Sequence, residues 1–233
     1  MNLSSDPSQI FIRNWEIYQK IIHENYMKHK ELGERVQYYL AELSHQTPLN
    51  ILDIGCGDAH QIAGQLKELP VNTYTGYDLS AQAIDFAKQH ITSPIKAKFN
   101  IGRMEELIKD DEDTYNLIYS SFAIHHLIDE QKQTIINDCF SKLEQKGMFI
   151  LIDIKRLPGQ SINDYQLSYA DWIKRDWHAL TEEEQIAIID HLSTCDIPVE
   201  TKTYIEFANQ PGFRLLEEFE VDTRHALLVF SKN

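Results

Sequence analysis

The sequence predicts an α/β fold in which helices alternate with the strands of a largely parallel sheet. Three observations carry this prediction. Short strand-like runs recur between residues 48 and 155, and the first of them stops at Asp53, Gly55 and Gly57. An acid follows the second run at the spacing of a βαβ unit. The chain ends in two strand-like runs joined by a short polar turn, which must pair antiparallel.

The first run ends in a loop suited to a ligand. Gly55 and Gly57 lie one residue apart directly after it, where glycine permits unusual backbone angles and lets a ligand approach the chain closely. A helix is expected to begin near Ala59, with its free N–H groups facing the same ligand. His60 stands where a dinucleotide fingerprint has its third glycine, which disfavours a nicotinamide cofactor. A tight turn without any ligand is the alternative.

The second run, residues 73–80, ends in Asp78. In a βαβ unit this acid lies at the tip of the second strand, where a carboxylate can accept hydrogen bonds from both hydroxyls of a ribose. As an isolated residue Asp78 could instead cap the following helix. After a glycine loop, the ribose contact is favoured.

The loop resembles the acid-x-Gly-x-Gly-x-Gly motif of class I S-adenosylmethionine-dependent methyltransferases, with Ala59 in place of the third glycine. The resemblance covers residues 48–155 and, more loosely, the last 25. It implies that the cofactor is S-adenosylmethionine, that the loop holds its methionine moiety and that Asp53 supports this moiety. The cofactor-binding residues expected from the resemblance are Asp53, Gly55, Cys56, Gly57, Asp78, Leu79, Met104 and Ser121.

The resemblance also implies a Rossmann-like, doubly wound seven-stranded sheet of order 3-2-1-4-5-7-6. Residues 214–221 and 225–232 would form its last hairpin, including the reversed seventh strand. Where the family often has an acid that contacts the adenine, this chain has Arg103, so we expect that contact from the backbone or from Met104. The acidic run of residues 110–113 is typical of a solvated loop.

A histidine pair follows the predicted fourth strand. In the family the position of His125 commonly faces the substrate pocket, so His125 is expected to accept a proton or to shape the pocket. His126, which is expected to pack behind it, is the second catalytic candidate. Both could instead be polar residues at the start of a helix. We expect no metal, because adjacent ligands rarely point at one ion and no cysteine or further histidine lies at ligand spacing.

The chain divides into four expected segments: an N-terminal helical cap (1–47), a cofactor-binding core (48–155), a helical lid insertion (156–198) and a C-terminal helix with a β-hairpin (199–233). The cap is expected to break at Gly33, with a second helix over residues 34–43. Aromatic and histidine side chains of the cap and the lid either contact ligands or only pack in the core; the sequence leaves both open for Tyr18, Tyr26, His29, His178 and His191.

Composition limits the partners. Three scattered cysteines indicate a reducing compartment, and the absence of a leader-like start or a membrane-length apolar run predicts a cytoplasmic protein. A net charge of −14 argues against nucleic acid as a partner. Oligomeric state cannot be read from the sequence.

The sequence thus predicts in-line transfer of a methyl group from S-adenosylmethionine to a small-molecule acceptor. The aromatic-rich lid suits a small or flat organic molecule. Whether the acceptor atom is N, O, S or C stays open. Two alternatives remain: a nicotinamide-dependent oxidoreductase, and a catalytically silent cofactor-binding relative that acts through a partner.

Overall fold

The computed structural model describes residues 15–233; the first 14 residues, which begin the expected cap, lie outside the described part. The strands are β1 (Leu49–Ile54), β2 (Val71–Asp78), β3 (Lys96–Ile101), β4 (Tyr115–Ser121), β5 (Leu143–Ile154), β6 (Arg214–Glu220) and β7 (His225–Ser231). The helices are α1 (Trp15–His23), α2 (His29–Ser44), α3 (His60–Leu66), α4 (Ala81–His90), α5 (Met104–Asp110), α6 (Asp129–Lys142), α7 (Ile162–Asp176), α8 (Glu182–Cys195) and α9 (Thr201–Asn209). A 3₁₀ turn (Ile124–His126) lies between β4 and α6. Over residues 15–233, no helix combines the length and apolar character needed to cross a membrane.

The seven strands form one sheet of order β3-β2-β1-β4-β5-β7-β6. Strands β1 to β5 pair in parallel, and β7 lies antiparallel between β5 and β6. The expected fold class and strand order are confirmed, including the reversed seventh strand. The strand order reverses between β1 and β4, and in open α/β sheets ligands bind beyond the carboxyl ends of the strands at such a point.

Three apolar clusters hold the fold together. One face of the sheet buries residues such as Leu52, Ile118 and Phe149 against α5, α6 and α9. The opposite face buries a second set against α2, α3 and α4, including Leu49, Ile51, Tyr74 and Leu117. Alternation along β1 assigns its side chains to the two faces in turn. A third cluster joins α1 to α7 and α8, and contains Ile17, Ile21, Tyr165, Tyr169, Trp177 and Leu192.

The predicted break at Gly33 is wrong. Helix α2 runs through Gly33 without interruption, and the break falls at residues 24–28, where Asn25 and Lys28 have φ angles of 55° and 60°. Gly33 serves packing: a Cβ there would lie 3.0 Å from the amide nitrogen of Gln65, which donates a hydrogen bond to the Gly33 carbonyl over 3.3 Å. A close helix contact therefore explains this glycine.

The prediction that residues 110–113 are all exposed to solvent is wrong for one of them. Asp111 is buried, whereas the other three acids are exposed. The Asp111 carboxylate accepts hydrogen bonds from the hydroxyls of Tyr77 and Tyr115. Tyrosine hydroxyls that are buried in a sheet need an acceptor, so this acid serves the core and not the solvent.

Candidate active site

A cavity of about 220 Å³ lies where the strand order reverses, between the carboxyl ends of the strands and helices α1, α7 and α8. The core contributes Gly55, Gly57, Tyr77, Asp78, Leu79, Ser80, Gln82, Ala83, Gly102, Met104, Ser121, Phe122, Ala123, His125, His126 and Ile154 to its wall. The helices before and after the core contribute Trp15, Ile17, Tyr18, Ile21, Met27, Tyr169, Trp177, Ile188, His191, Leu192 and Asp196. A single cavity therefore connects the glycine loop with the histidine pair.

The two loop glycines serve different purposes. Gly55 and Gly57 have φ angles of +71° and +53°, in the region that favours glycine. A Cβ at Gly55 would lie 2.3 Å from the Cβ of Ala123, so this position is dictated by packing. A Cβ at Gly57 would meet no protein atom within 4 Å, although Gly57 lines the cavity. The open space beside Gly57 is where the loop can hold a ligand.

Asp78 lies at the cavity wall at the end of β2. One carboxylate oxygen accepts a hydrogen bond from the Gly57 N–H over 2.9 Å, and the other accepts one from the Ser80 N–H over 2.8 Å. Burial raises the pKa of Asp78, and these backbone donors oppose that rise. The cap of α4 is Ser80, whose hydroxyl accepts a hydrogen bond from the Ala83 N–H. Since a carboxylate oxygen can accept more than one hydrogen bond, Asp78 retains acceptor capacity for a ribose.

Of the other expected cofactor residues, Leu79, Met104 and Ser121 line the cavity, but Asp53 and Cys56 are not among its described walls. Asp53 projects to the sheet face opposite Leu52, where it is 2% exposed and accepts a hydrogen bond from the Tyr74 hydroxyl over 2.5 Å. Burial raises its pKa to about 7. The alternation of side chains along β1 thus turns Asp53 away from the cavity, and the expected cofactor contact is not supported.

Cys56 is likewise buried at the rear of the loop, where its sulfur would lie 2.9 Å from a Cβ added at Gly76. The Cys56 backbone N–H donates a hydrogen bond to the Tyr77 carbonyl over 2.9 Å. Cys56 therefore joins the loop to β2. Arg103, which stands where the family often has an acid, pairs with Glu105 and is not among the described cavity walls.

The histidine pair forms part of a larger polar cluster around Asp196, the residue after α8. One Asp196 carboxylate oxygen, Oδ1, lies 3.5 Å from Nε2 of His125, 3.3 Å from Nδ1 of His126 and 3.3 Å from Nε2 of His191. The other ring nitrogen of His125 contacts the carboxylate of Asp153. The core and the segment after it thus meet at this end of the cavity.

The two neighbouring histidines have opposite electrostatic environments. Burial disfavours a charge on His125, but the carboxylates of Asp153 and Asp196 outweigh it and raise its pKa to about 10. Burial and the charge of His125 lower the pKa of His126. Burial opposes ionisation of Asp196 as well, but the adjacent histidines hold its pKa well below the usual range. With both ring nitrogens facing carboxylates, His125 is poorly suited to act as a general base at neutral pH.

The structure separates the aromatic and histidine residues of the cap and the lid into those that line the cavity and those that do not. Tyr26 stacks on Trp177, with ring centroids 4.7 Å apart, and its hydroxyl accepts a hydrogen bond from the Ala179 N–H over 2.9 Å. His29 is buried beside Phe122 and outside the described cavity wall. Tyr18 lines the cavity, as does His191, whereas His178 is exposed.

Sequence reasoning missed Asp153 and Asp196. Asp153 lies near the carboxyl end of β5, and this position at the ligand-binding edge of the sheet is a signal that points to it. Asp196 follows a helix whose docking onto the core is not encoded in any local pattern. Only the three-dimensional structure shows that Asp196 contacts the histidines.

The comparisons with known proteins agree with this geometry. A family model described as a methyltransferase domain matches residues 51–147. The phosphoethanolamine N-methyltransferase of Plasmodium falciparum is 25% identical over 90% of this chain and 78% of its own length. These matches support a class I S-adenosylmethionine-dependent methyltransferase. Its cofactor is S-adenosylmethionine, and the open space at Gly57 next to the Asp78 carboxylate fits that group.

Other relatives agree with this methyltransferase family. The mitochondrial ubiquinone biosynthesis O-methyltransferase of Bos taurus is 28% identical over 52% of this chain, which spans 31% of that protein. Among solved structures, the plantazolicin methyltransferase BamL, in complex with a triazolic desmethylPZN analog and SAH, has a TM-score of 0.68 and 16% identity over 97% of this chain and 94% of its own. The structure of a SAM-dependent methyltransferase from Archaeoglobus fulgidus has a TM-score of 0.60 and 16% identity. The match covers 91% of this chain and 99% of that chain. These structures share the fold of the methyltransferase.

Replacing Asp78 tests its expected contact with the ribose. We expect Asp78→Asn to weaken binding of S-adenosylhomocysteine by about tenfold, since a neutral amide accepts weaker hydrogen bonds than a carboxylate. Isothermal titration calorimetry measures the affinity. Asp85→Asn, on the exposed side of α4, is the matched control and should bind as the wild type does. Equal affinity of the two folded variants would mean that the ribose is held elsewhere.

Proposed function

We propose that this methyltransferase transfers the methyl group to a small, flat acceptor without a phosphate group. The observation that carries the proposal is the composition of the cavity between the glycine loop and the histidine cluster. Its walls include Trp15, Tyr18, Phe122, Tyr169 and Trp177, and no lysine or arginine is among the wall residues that the structure describes. Aromatic walls favour flat apolar or aromatic molecules.

The absence of lysine and arginine from the described wall distinguishes the proposed acceptor from phosphoethanolamine, which the name of the Plasmodium relative specifies. Proteins commonly bind phosphate through arginine or lysine. The charged groups in the described wall are instead Asp78, Asp196 and the histidines. An acceptor that is neutral, or that carries a positive charge on an amine, fits this wall better than an anion.

The proposed mechanism relies mainly on positioning. S-adenosylmethionine supplies a methyl group that its sulfonium activates. The Gly57 loop and Asp78 would hold the nucleoside and methionine parts, and the aromatic residues of α1 and α7 would exclude water. The polar groups around Asp196 line the same cavity and would orient the nucleophilic end of the acceptor.

The helices before and after the core are proposed to act as cap and lid, as the sequence suggested. Lys20 of α1 forms an ion pair with Glu184 of α8 over 2.6 Å, so the two elements contact each other beside the cavity that both help to line. This pair is partly exposed, and such pairs contribute little to stability. The described cavity wall includes residues of α1 and α8, so movement of these elements would widen access to the cavity.

Hydrogen exchange tests the lid. We expect S-adenosylhomocysteine to slow amide exchange in residues 160–196, because a bound ligand contacts the inner face of the insertion and holds it closed. Strand β4, in the middle of the sheet, provides the internal reference and should change little. Equal exchange of residues 160–196 with and without the ligand would indicate a rigid insertion.

Methyl transfer from radiolabelled S-adenosylmethionine to a panel of acceptors tests the proposed function. The panel pairs phenols, heteroaromatic hydroxyls and aromatic amines with counterparts that keep the same nucleophilic group and carry a phosphate elsewhere in the molecule. We expect turnover with members of the first group and at least about tenfold lower kcat/KM for the phosphorylated partner, which would bury an unpaired charge. Preference for the phosphorylated members would contradict the proposal.

A further inference from the structure

The far end of the cavity brings three potential metal ligands together. His125, His126 and Asp196 each offer one ligand atom, a ring nitrogen or a carboxylate oxygen, and these atoms all lie within 4.8 Å of one another. The two histidines come from the 3₁₀ turn after β4, and Asp196 follows α8. All three residues line the cavity. The sequence argument against a metal considered spacing along the chain, and the fold supplies the third ligand from a distant segment.

The two distances from the Asp196 oxygen to the imidazole nitrogens fit ligands of one ion. Bonds of about 2.0–2.1 Å in a tetrahedral site place two ligand atoms about 3.3–3.4 Å apart. Oδ1 of Asp196 lies 3.3 Å from Nδ1 of His126 and 3.5 Å from Nε2 of His125. An N–H···O hydrogen bond is typically shorter, about 2.7–3.2 Å. Oδ1 is buried, and ring nitrogens of three histidines lie within 3.5 Å of it.

The hydrogen bonds around His125 are those expected of a metal ligand. Its Nδ1 contacts the Asp153 carboxylate, which also accepts hydrogen bonds from the Tyr204 hydroxyl over 2.8 Å and from the Ile154 N–H over 3.0 Å. A carboxylate held in this way keeps the proton on Nδ1, so a metal ion would displace only the Nε2 proton and take the lone pair on the side of Asp196. Histidine ligands of metals usually have such a carboxylate or carbonyl partner on the other ring nitrogen.

We propose that His125, His126 and Asp196 bind a divalent transition-metal ion at the acceptor end of the cavity. Two imidazoles and one carboxylate suit Zn²⁺ and its neighbours better than Mg²⁺ or Ca²⁺, which prefer oxygen ligands. Three protein ligands leave a position open toward the cavity for water or an acceptor oxygen. The proposal does not depend on which acceptor is methylated.

Calorimetry on the metal-free full chain tests the site with Zn²⁺ and Co²⁺ as probes. After dialysis against EDTA and then buffer, we expect one ion per chain to bind at micromolar or lower Kd, and Mg²⁺ not to bind. Bound Co²⁺ should add visible absorption bands of a four- or five-coordinate site. We expect His126→Gln and Asp196→Asn each to weaken Zn²⁺ binding by at least about 100-fold, and Asp153→Asn by about tenfold. His178→Gln removes an exposed histidine and should bind as the wild type does.

Binding of S-adenosylhomocysteine reports separately that each variant is folded, because its expected contacts lie at the glycine loop. Should one variant fail to fold, the other provides the test. Failure of the wild type to bind either ion, or wild-type affinity in a folded His126→Gln or Asp196→Asn protein, would overturn the metal site. If the metal site fails but the metal-free enzyme still transfers methyl groups, the proposed function stands. If Zn²⁺ binds but no acceptor is methylated, only the proposed function is contradicted.

Discussion

Gly57→Ala is expected to leave a folded protein that has lost about 100-fold or more in affinity for S-adenosylhomocysteine. The added Cβ meets no protein atom within 4 Å and projects into the open space beside the cavity. The φ angle of +53° costs alanine only about 1–2 kcal/mol. The loss of affinity arises because the methyl group occupies space that the cofactor needs.

Gly55→Ala is the matched comparison, since it adds the same methyl group two residues earlier. Its Cβ would lie 2.3 Å from the Cβ of Ala123, and φ is +71°. We expect a loss of more than about 3 kcal/mol in the free energy of unfolding, because loop and turn must both shift. Urea unfolding followed by circular dichroism measures the stability of both variants, and calorimetry measures ligand binding. Wild-type affinity in Gly57→Ala would show that the loop does not hold the cofactor.

Most of the fold follows from local features of the sequence. The glycine loop, the acid after β2 and the final hairpin each depend on a few neighbouring residues, and the structure has all three in the expected order. The errors arose where a long-range contact decides the role of a residue. Gly33 accommodates Gln65, and Asp111 accepts hydrogen bonds from two tyrosines of the sheet. The amino-acid sequence around Gly33 or Asp111 does not indicate these partners.

The site was predictable only in part, for the same reason. Gly55, Gly57 and Asp78 line the cavity because the strand-loop-helix geometry places them there. Asp53 belongs to the same motif, but the alternation of side chains along β1 and the Tyr74 hydroxyl draw it to the other face of the sheet. Asp196 belongs to no motif and reaches the histidines only because α8 packs against the core.

His29 is expected to make the protein sensitive to mild acid. The side chain is 8% exposed, and neither ring nitrogen has a hydrogen-bond partner among the described residues. Burial, assisted by the charge of His225, lowers its pKa from 6.5 to about 4. The unfolded chain therefore takes up this proton before the folded protein does. The contribution to stability is complete above pH 6.5 and is lost as the pH falls toward 4, by about 3 kcal/mol.

The variant His29→Leu isolates this contribution, because leucine fills the buried site and does not titrate. We expect the free energy of unfolding of the wild type to fall between pH 7 and pH 4 by about 3 kcal/mol more than that of His29→Leu. Urea unfolding at several pH values measures the difference. His45→Leu, at the exposed end of α2, is the control and should keep the pH dependence of the wild type. Parallel curves for wild type and His29→Leu would mean that His29 takes up its proton as readily in the folded protein as in the unfolded chain, which requires a partner for its buried charge.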